Sequence, residues 1–149
     1  MIHPGRVLGL DLGSRRIGVA ISDSGQTVAT GLRAVQRGAD RAADHGAIKT
    51  LVEEYEAVGV VVGLPLSLSG GTGPAARQVL EEVEQLSRYL GVEVDTVDER
   101  LTTISASGAL RAAGRPSRRQ KSVVDQTAAA ILLQSWIDRQ NNLRGMTVD

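Results

Sequence analysis

The stretch that most constrains the fold is RVLGLDLGSRRIGVAISD, residues 6–23. Val7, Leu8, Leu10 and Leu12 read as one strand and Ile17, Val19, Ala20 and Ile21 as a second. Gly13–Arg16 is the tight turn between them, with Gly13-Ser14 supplying a permissive backbone. Inside the first strand stands an aspartate, a residue type depleted in strands: Asp11 lies between two leucines. Alternation puts Leu8, Leu10 and Leu12 on one face and Asp11 with Val7 and Gly9 on the other. Both faces border a core, and a carboxylate left alone there is expensive. Asp11 therefore needs a hydrogen-bond donor, a cation or a metal ion beside it. A hydrogen bond within its own turn is the simplest structural alternative.

The chain of 149 residues suffices for one domain with a real core, and 42% hydrophobic with 23% charged residues fits a globular protein. No apolar run approaches a bilayer span and no signal-peptide pattern opens the chain, so the expectation is a cytoplasmic protein with no membrane partner. The absence of cysteine removes disulfides and thiolate metal sites. Net charge is zero, which argues against a uniformly basic nucleic-acid coat but not against a local patch. There is no Phe, one Trp (Trp136) and two Tyr (Tyr55, Tyr89), too few for stacking platforms on single-stranded bases.

Beyond the hairpin, Gln26–Gln36 predicts a third strand between the breakers Gly25 and Gly38. From Asp40 to Ala57 the period turns helical, with Ala47, Ile48, Leu51, Val52 and Tyr55 on one stripe. Gly59–Leu64 is apolar throughout, as in a parallel strand buried on both faces. Pro65–Gly73 reads as a loop. Pro74 starts an amphipathic helix through Leu90, which Gly91 ends. Val92–Val97 predicts a strand ending at Asp98-Glu99-Arg100. Thr102 or Thr103 can cap a short helix through Leu110. Ala113–Lys121 reads as a basic loop, Ser122–Arg139 as a last helix, and the tail from about Asn141 as loose. The order predicts a single α/β domain over residues 1–149: a mixed sheet, antiparallel meander plus parallel strands, with helices on its faces.

Function in such sheets often sits at the carboxyl ends of parallel strands, and Glu99 follows one. Its plain alternative is a surface ion pair with Arg100. Asp125 has a structural alternative too: Ser122-Val-Val-Asp125 matches capping-box spacing. Yet Asp125 lies three and seven residues before Ala128 and Leu132, on the apolar face. Asp11, Glu99 and Asp125 are thus three acids from separate elements that can meet at one end of the sheet. Carboxylates without Cys or His suit hard divalent cations such as Mg2+ or Mn2+. Two such ions about 4 Å apart can clamp a phosphodiester. Arg111, Arg115, Arg118, Arg119 and Lys121 precede Asp125, and Arg15 and Arg16 follow Asp11; this positive charge suits phosphate docking, with a solvated loop as the alternative. The Gly63–Gly73 loop lacks the Gly-Lys-Ser/Thr ending of a P-loop and fits no dinucleotide fingerprint. His3 and His45 have no spacing partner.

LGLDLGSRRIGVAISD, VVGLPLSLSGG, VDERLTTISA and KSVVDQTAAAILLQSWID, in this order, resemble the YqgF family of bacterial ribonuclease-H-like nucleases, connected with pre-16S rRNA processing and with Holliday junction resolution. The resemblance covers Arg6 to about Asp138. It implies a ribonuclease-H-like fold with a five-stranded sheet, and Asp11, Glu99 and Asp125 as the catalytic, metal-holding acids. Arg16, Thr102 and the Gly63–Pro65 turn match the family's flanking pattern. The nucleic-acid-binding candidates are Arg15, Arg16, Thr102, Arg115, Arg118, Arg119 and Lys121. Ser67-Leu68-Ser69 stands where the family usually has Asn-Met-Asp, and Ser122 where a second Lys is common.

The reading is therefore a metal-dependent hydrolase of phosphodiester bonds, with Asp11 bridging two ions and Glu99 and Asp125 holding one each. Its partner is structured pre-rRNA or branched DNA, with ribosomal particles as a further partner, and the protein is a monomer or a homodimer. One rival is an actin-like or sugar-kinase-like ATPase, since GLDLGS resembles their first phosphate loop, but those proteins close two such domains over a nucleotide. Another is a non-catalytic module that binds structured RNA or ribosomal particles.

Overall fold

A computed structural model of the chain describes residues 2–66, 71–101 and 118–146. Five strands form one sheet: β1 (Val7–Leu12), β2 (Arg16–Ser22), β3 (Ala29–Gln36), β4 (Gly59–Leu64) and β5 (Glu93–Asp98), in the spatial order β3-β2-β1-β4-β5. β1–β2 and β2–β3 are antiparallel; β1–β4 and β4–β5 are parallel. The mixed sheet expected from the sequence is present.

Alternation sorts the strand residues into two cores. Leu8, Leu10, Ile17, Val19, Val60 and Val62 pack under α1 (Arg41–Glu54) and α2 (Pro74–Leu90). Val7, Ala20, Val61 and Val97 pack on the other face under α3 (Arg118–Met146), against Ala129, Leu132, Leu133, Trp136 and Ile137. β4 is apolar on every residue because both its faces are covered. Asp40 caps α1 by accepting from the Ala43 N–H at 2.9 Å. Gly91, at φ 73°, supplies the left-handed residue that ends α2.

Three boundaries differ from the sequence expectation. β3 begins at Ala29 rather than Gln26, because the Gln26 amide turns inward and donates to the main-chain oxygens of His3 and Gly5. The last helix begins at Arg118, not Ser122. Arg118, Arg119, Gln120 and Lys121 are good helix formers and join the helix instead of a basic loop, so Ser122-Val-Val-Asp125 is helix interior and not a capping box. The helix also runs on to Met146, where the tail was expected to be loose. Asn141 and Arg144 hold its last turns to Gln26, at 3.4 Å to the main-chain oxygen and 3.2 Å to the side chain. The short helix expected after Thr102, and Ser67-Leu68-Ser69, lie outside the described residues.

Candidate active site

Strand parity decides which side chains meet. On β1, Gly9 faces Leu133 of α3, so Asp11, two residues on, points to the α3 side as well. Asp11 pairs with Gly18 across the β1–β2 ladder. Gly18 is required by close approach: a Cβ there would lie 2.1 Å from the Asp125 main-chain oxygen. The helix backbone that carries Asp125 thus rests directly on β2 beside Asp11. On β4, Gly63 also faces α3, and a Cβ there would meet the Leu132 side chain at 2.6 Å and Glu99 Oε1 at 3.0 Å. Glu99, in a 3-10 turn (Glu99–Leu101) just past β5, therefore reaches back over the end of β4. The three acids predicted from the sequence lie on one sheet face, near the carboxyl ends of β1, β4 and β5.

Asp125 is 8% exposed, and Arg16 Nε donates to its Oδ2 at 2.6 Å. This ion pair joins the first residue of β2 to the helix across most of the chain. Arg16, expected among the phosphate contacts, is therefore engaged by Asp125. The surface pairing considered for Glu99 falls to its neighbour: Arg100 binds Asp98 through Nε and Nη2, at 3.0 and 2.6 Å. These hydrogen bonds hold the Asp98 carboxyl below its usual range.

The donor set suits a hard divalent cation in kind: three carboxylates, with no cysteine in the chain. In arrangement, no group of three acidic or histidine side chains among the described residues is drawn to metal-ligand spacing. The acids share a face, and Arg16 supplies positive charge at Asp125. Of the other candidates, Arg15 is exposed in the β1–β2 turn. Arg118, Arg119 and Lys121 occupy the first turn of α3, ahead of Asp125. Thr102 and Arg115 lie outside the described residues.

The sequence reading missed a buried polar cluster on the opposite face. Arg37 grips Glu82 with both Nη atoms, at 2.7 and 3.0 Å, and Asp44 at 3.1 Å. His45 Nε2 lies 2.9 Å from Glu82 Oε2. Burial alone would raise the Glu82 carboxyl; hydrogen bonds from Arg37 and His45 and their charges overcome it and hold the group below its usual range. A signal was available: Asp44 and His45 continue the buried stripe of Ile48, Leu51 and Val52, and Glu82 sits four residues before Leu86.

Residues 5–139 match the family model described as "RuvX: Holliday junction resolvase". A Streptomyces avermitilis protein named "Putative pre-16S rRNA nuclease" is 47% identical over 137 residues, covering 91% of this chain and 87% of its own length. A Mycobacterium ulcerans protein of the same name is 43% identical over 147 residues, covering 97% of this chain and 85% of its own. Among solved structures, Thermus thermophilus RuvC in complex with a Holliday junction substrate superposes with a TM-score of 0.56 at 17% identity, over 91% of this chain and 95% of that one. That likeness is one of fold: a RuvC-like, ribonuclease-H-like sheet.

Proposed function

The chain belongs to the RuvX family, and from that premise we propose that it is a nuclease that hydrolyses phosphodiester bonds in the 5′-end processing of pre-16S rRNA. The observation that carries the proposal is the common sheet face of Asp11, Glu99 and Asp125, each delivered by a different element. Asp11, Glu99 and Asp125 are the residues that would hold Mg2+ or Mn2+, and bound ions there would polarise the phosphoryl group and activate water. The chain's own part is positional. The Gly18 seat fixes the helix backbone at Asp125, Arg16 orients one oxygen of that carboxylate, and Gly63 leaves room for Glu99 over the end of β4. Arg15 and the basic first turn of α3 flank this face and would dock the phosphate backbone. With 2% aromatic residues, recognition rests on backbone and shape rather than base stacking. The names of relatives 43–47% identical over most of the chain support the RNA substrate, and with it a cytoplasmic setting and ribosomal particles as partners. The second reading, resolution of four-way DNA, is favoured by the family's own description. It calls for a symmetric dimer that makes paired incisions.

The test is cleavage of two labelled substrates, a pre-16S 5′ leader and a synthetic four-way junction, with Mg2+, Mn2+ or chelator, by the natural protein and by Asp11→Asn. Metal-dependent cleavage of the leader, lost in the variant, is the expected result. Cleavage of the junction alone transfers the assignment to the second reading. Tight RNA or ribosome binding without cleavage of either substrate makes the protein an assembly factor and overturns the proposal.

A further inference from the structure

The cluster around Arg37 lies on the sheet face away from the three acids, yet it is bonded to the turn that joins Asp11's strand to Arg16. Arg37 is the first residue after β3. Its main-chain N–H donates to the Arg15 oxygen at 2.9 Å, and its Nε donates to the Gly13 oxygen at 2.9 Å. Both Nη atoms are committed to carboxylates, and Asp44 in turn accepts from the Gly38 N–H at 2.6 Å. One guanidinium thus ties together the end of β3, α1, α2 and the β1–β2 turn.

Buried ion clusters of this kind contribute little net stability, because desolvation offsets the attraction. Their better-attested use is to fix one arrangement among several. Here the arrangement fixed is that of the turn Gly13–Arg15, whose two flanking residues are Leu12, next to Asp11, and Arg16. Beneath the turn lies an open cleft of about 490 Å³, bordered by Leu12, Ser14, Arg37, Asp44 and Glu82. Among the described residues, the side-chain hydrogen bond that reaches the turn from this face is the one from Arg37 to the Gly13 oxygen.

We propose that Arg37 is a positioning residue for the nuclease site: anchored by Glu82 and Asp44, it holds the main chain of the Gly13–Arg15 turn and thereby sets where Arg16 meets Asp125 on the opposite face. Its effect on catalysis rests on the nuclease reading; its effect on geometry does not. A lysine keeps the charge but cannot reach the Gly13 oxygen and both carboxylates at once, because only the planar fork spans them.

The experiment uses arginine-labelled full-length protein and follows the Arg16 Nε–H resonance, identified by its loss in Arg16→Lys. The 2.6 Å bond to Asp125 should shift that proton downfield and slow its exchange. In Arg37→Lys the signal is expected to move back and to exchange at least tenfold faster. The indole N–H of Trp136, which donates to Asp95 at 2.9 Å far from the turn, should stay where it is. Should Arg37→Lys fold poorly, Glu82→Gln, which loosens the same anchor, reads out the same resonance. On the cleaved substrate, kcat should fall about a hundredfold with KM within threefold, the pattern of a small misplacement. An unchanged Arg16 signal in folded variants overturns the proposal, as does a change that Trp136 shares, which would mark general loosening. A specific Arg16 change in a protein that cleaves neither test substrate leaves the positioning role standing and refutes the nuclease reading instead.

Discussion

Gly18→Ala tests the placement of Asp125 most directly. A Cβ at Gly18 would lie 2.1 Å from the Asp125 main-chain oxygen and 2.7 Å from its carbonyl carbon. Real Cβ contacts do not fall below 3.0 Å, so strand and helix must separate by at least 0.9 Å. Both contacting groups are backbone, one in a paired strand and one in a helix, so no rotamer change relieves the clash. Overpacking of this kind costs about 1–3 kcal/mol, and in a chain of this size each kcal/mol lowers Tm by about 2–4 °C. The same displacement stretches the Arg16–Asp125 bond from 2.6 Å to about 3.5 Å, where hydrogen bonding ends. A misplacement of about 1 Å at a reacting centre costs about a hundredfold in rate. Thermal melts together with single-turnover cleavage of the substrate measure both effects. Gly63→Ala is the comparison: its Cβ meets the flexible end of Leu132 at 2.6 Å, which can turn aside, so its stability loss should be the smaller. A Gly18→Ala protein with natural Tm and a rate within threefold would refute the seating of α3 on β2 that delivers Asp125.

Arg16→Gln removes the guanidinium from a carboxylate that is 8% exposed; the expected loss is about 1–3 kcal/mol in a denaturant melt, with Arg16→Lys recovering part of it. The Glu82 carboxyl is held below the usual glutamate value of 4.5 in the folded protein, so its contribution is complete above pH 4.5 and lost as pH falls through the lower folded value. Stability measured from pH 6 to 3 should therefore fall less steeply in Glu82→Gln than in the natural protein. Asp23 should titrate at about 2 by NMR, held down first by the Thr27 hydroxyl and then by the main-chain N–H groups of Val28 and Thr27; Thr27→Val should raise it towards 3.8.

Much of the molecule was legible because its signals are local and periodic. The hairpin, the doubly buried β4, the α2 stripe with Pro74 and Gly91 at its ends, and the odd placement of Asp11 all follow from two- and 3.6-residue periods and from turn chemistry. The same parity foretold that Asp11 shares a face with Val7 and Gly9, and that face is the one α3 covers. The motifs carried the family. Where the reading went astray, local signals competed: Ser122-Val-Val-Asp125 has the spacing of a helix start, but the helix formers before it extend the helix upstream.

The sequence alone thus determined the element types, the core faces and three acids standing where acids should not be. Only the tertiary structure decided partners. Arg16 and Asp125 are separated by 109 residues, and no spacing rule reaches that far. Arg37, Asp44, His45 and Glu82 come to one point only because the end of β3, α1 and α2 meet there. Periodicity states which side of an element faces inward. Which inward-facing charges compensate one another depends on how the elements cross, because burial leaves each charge to the partner within reach.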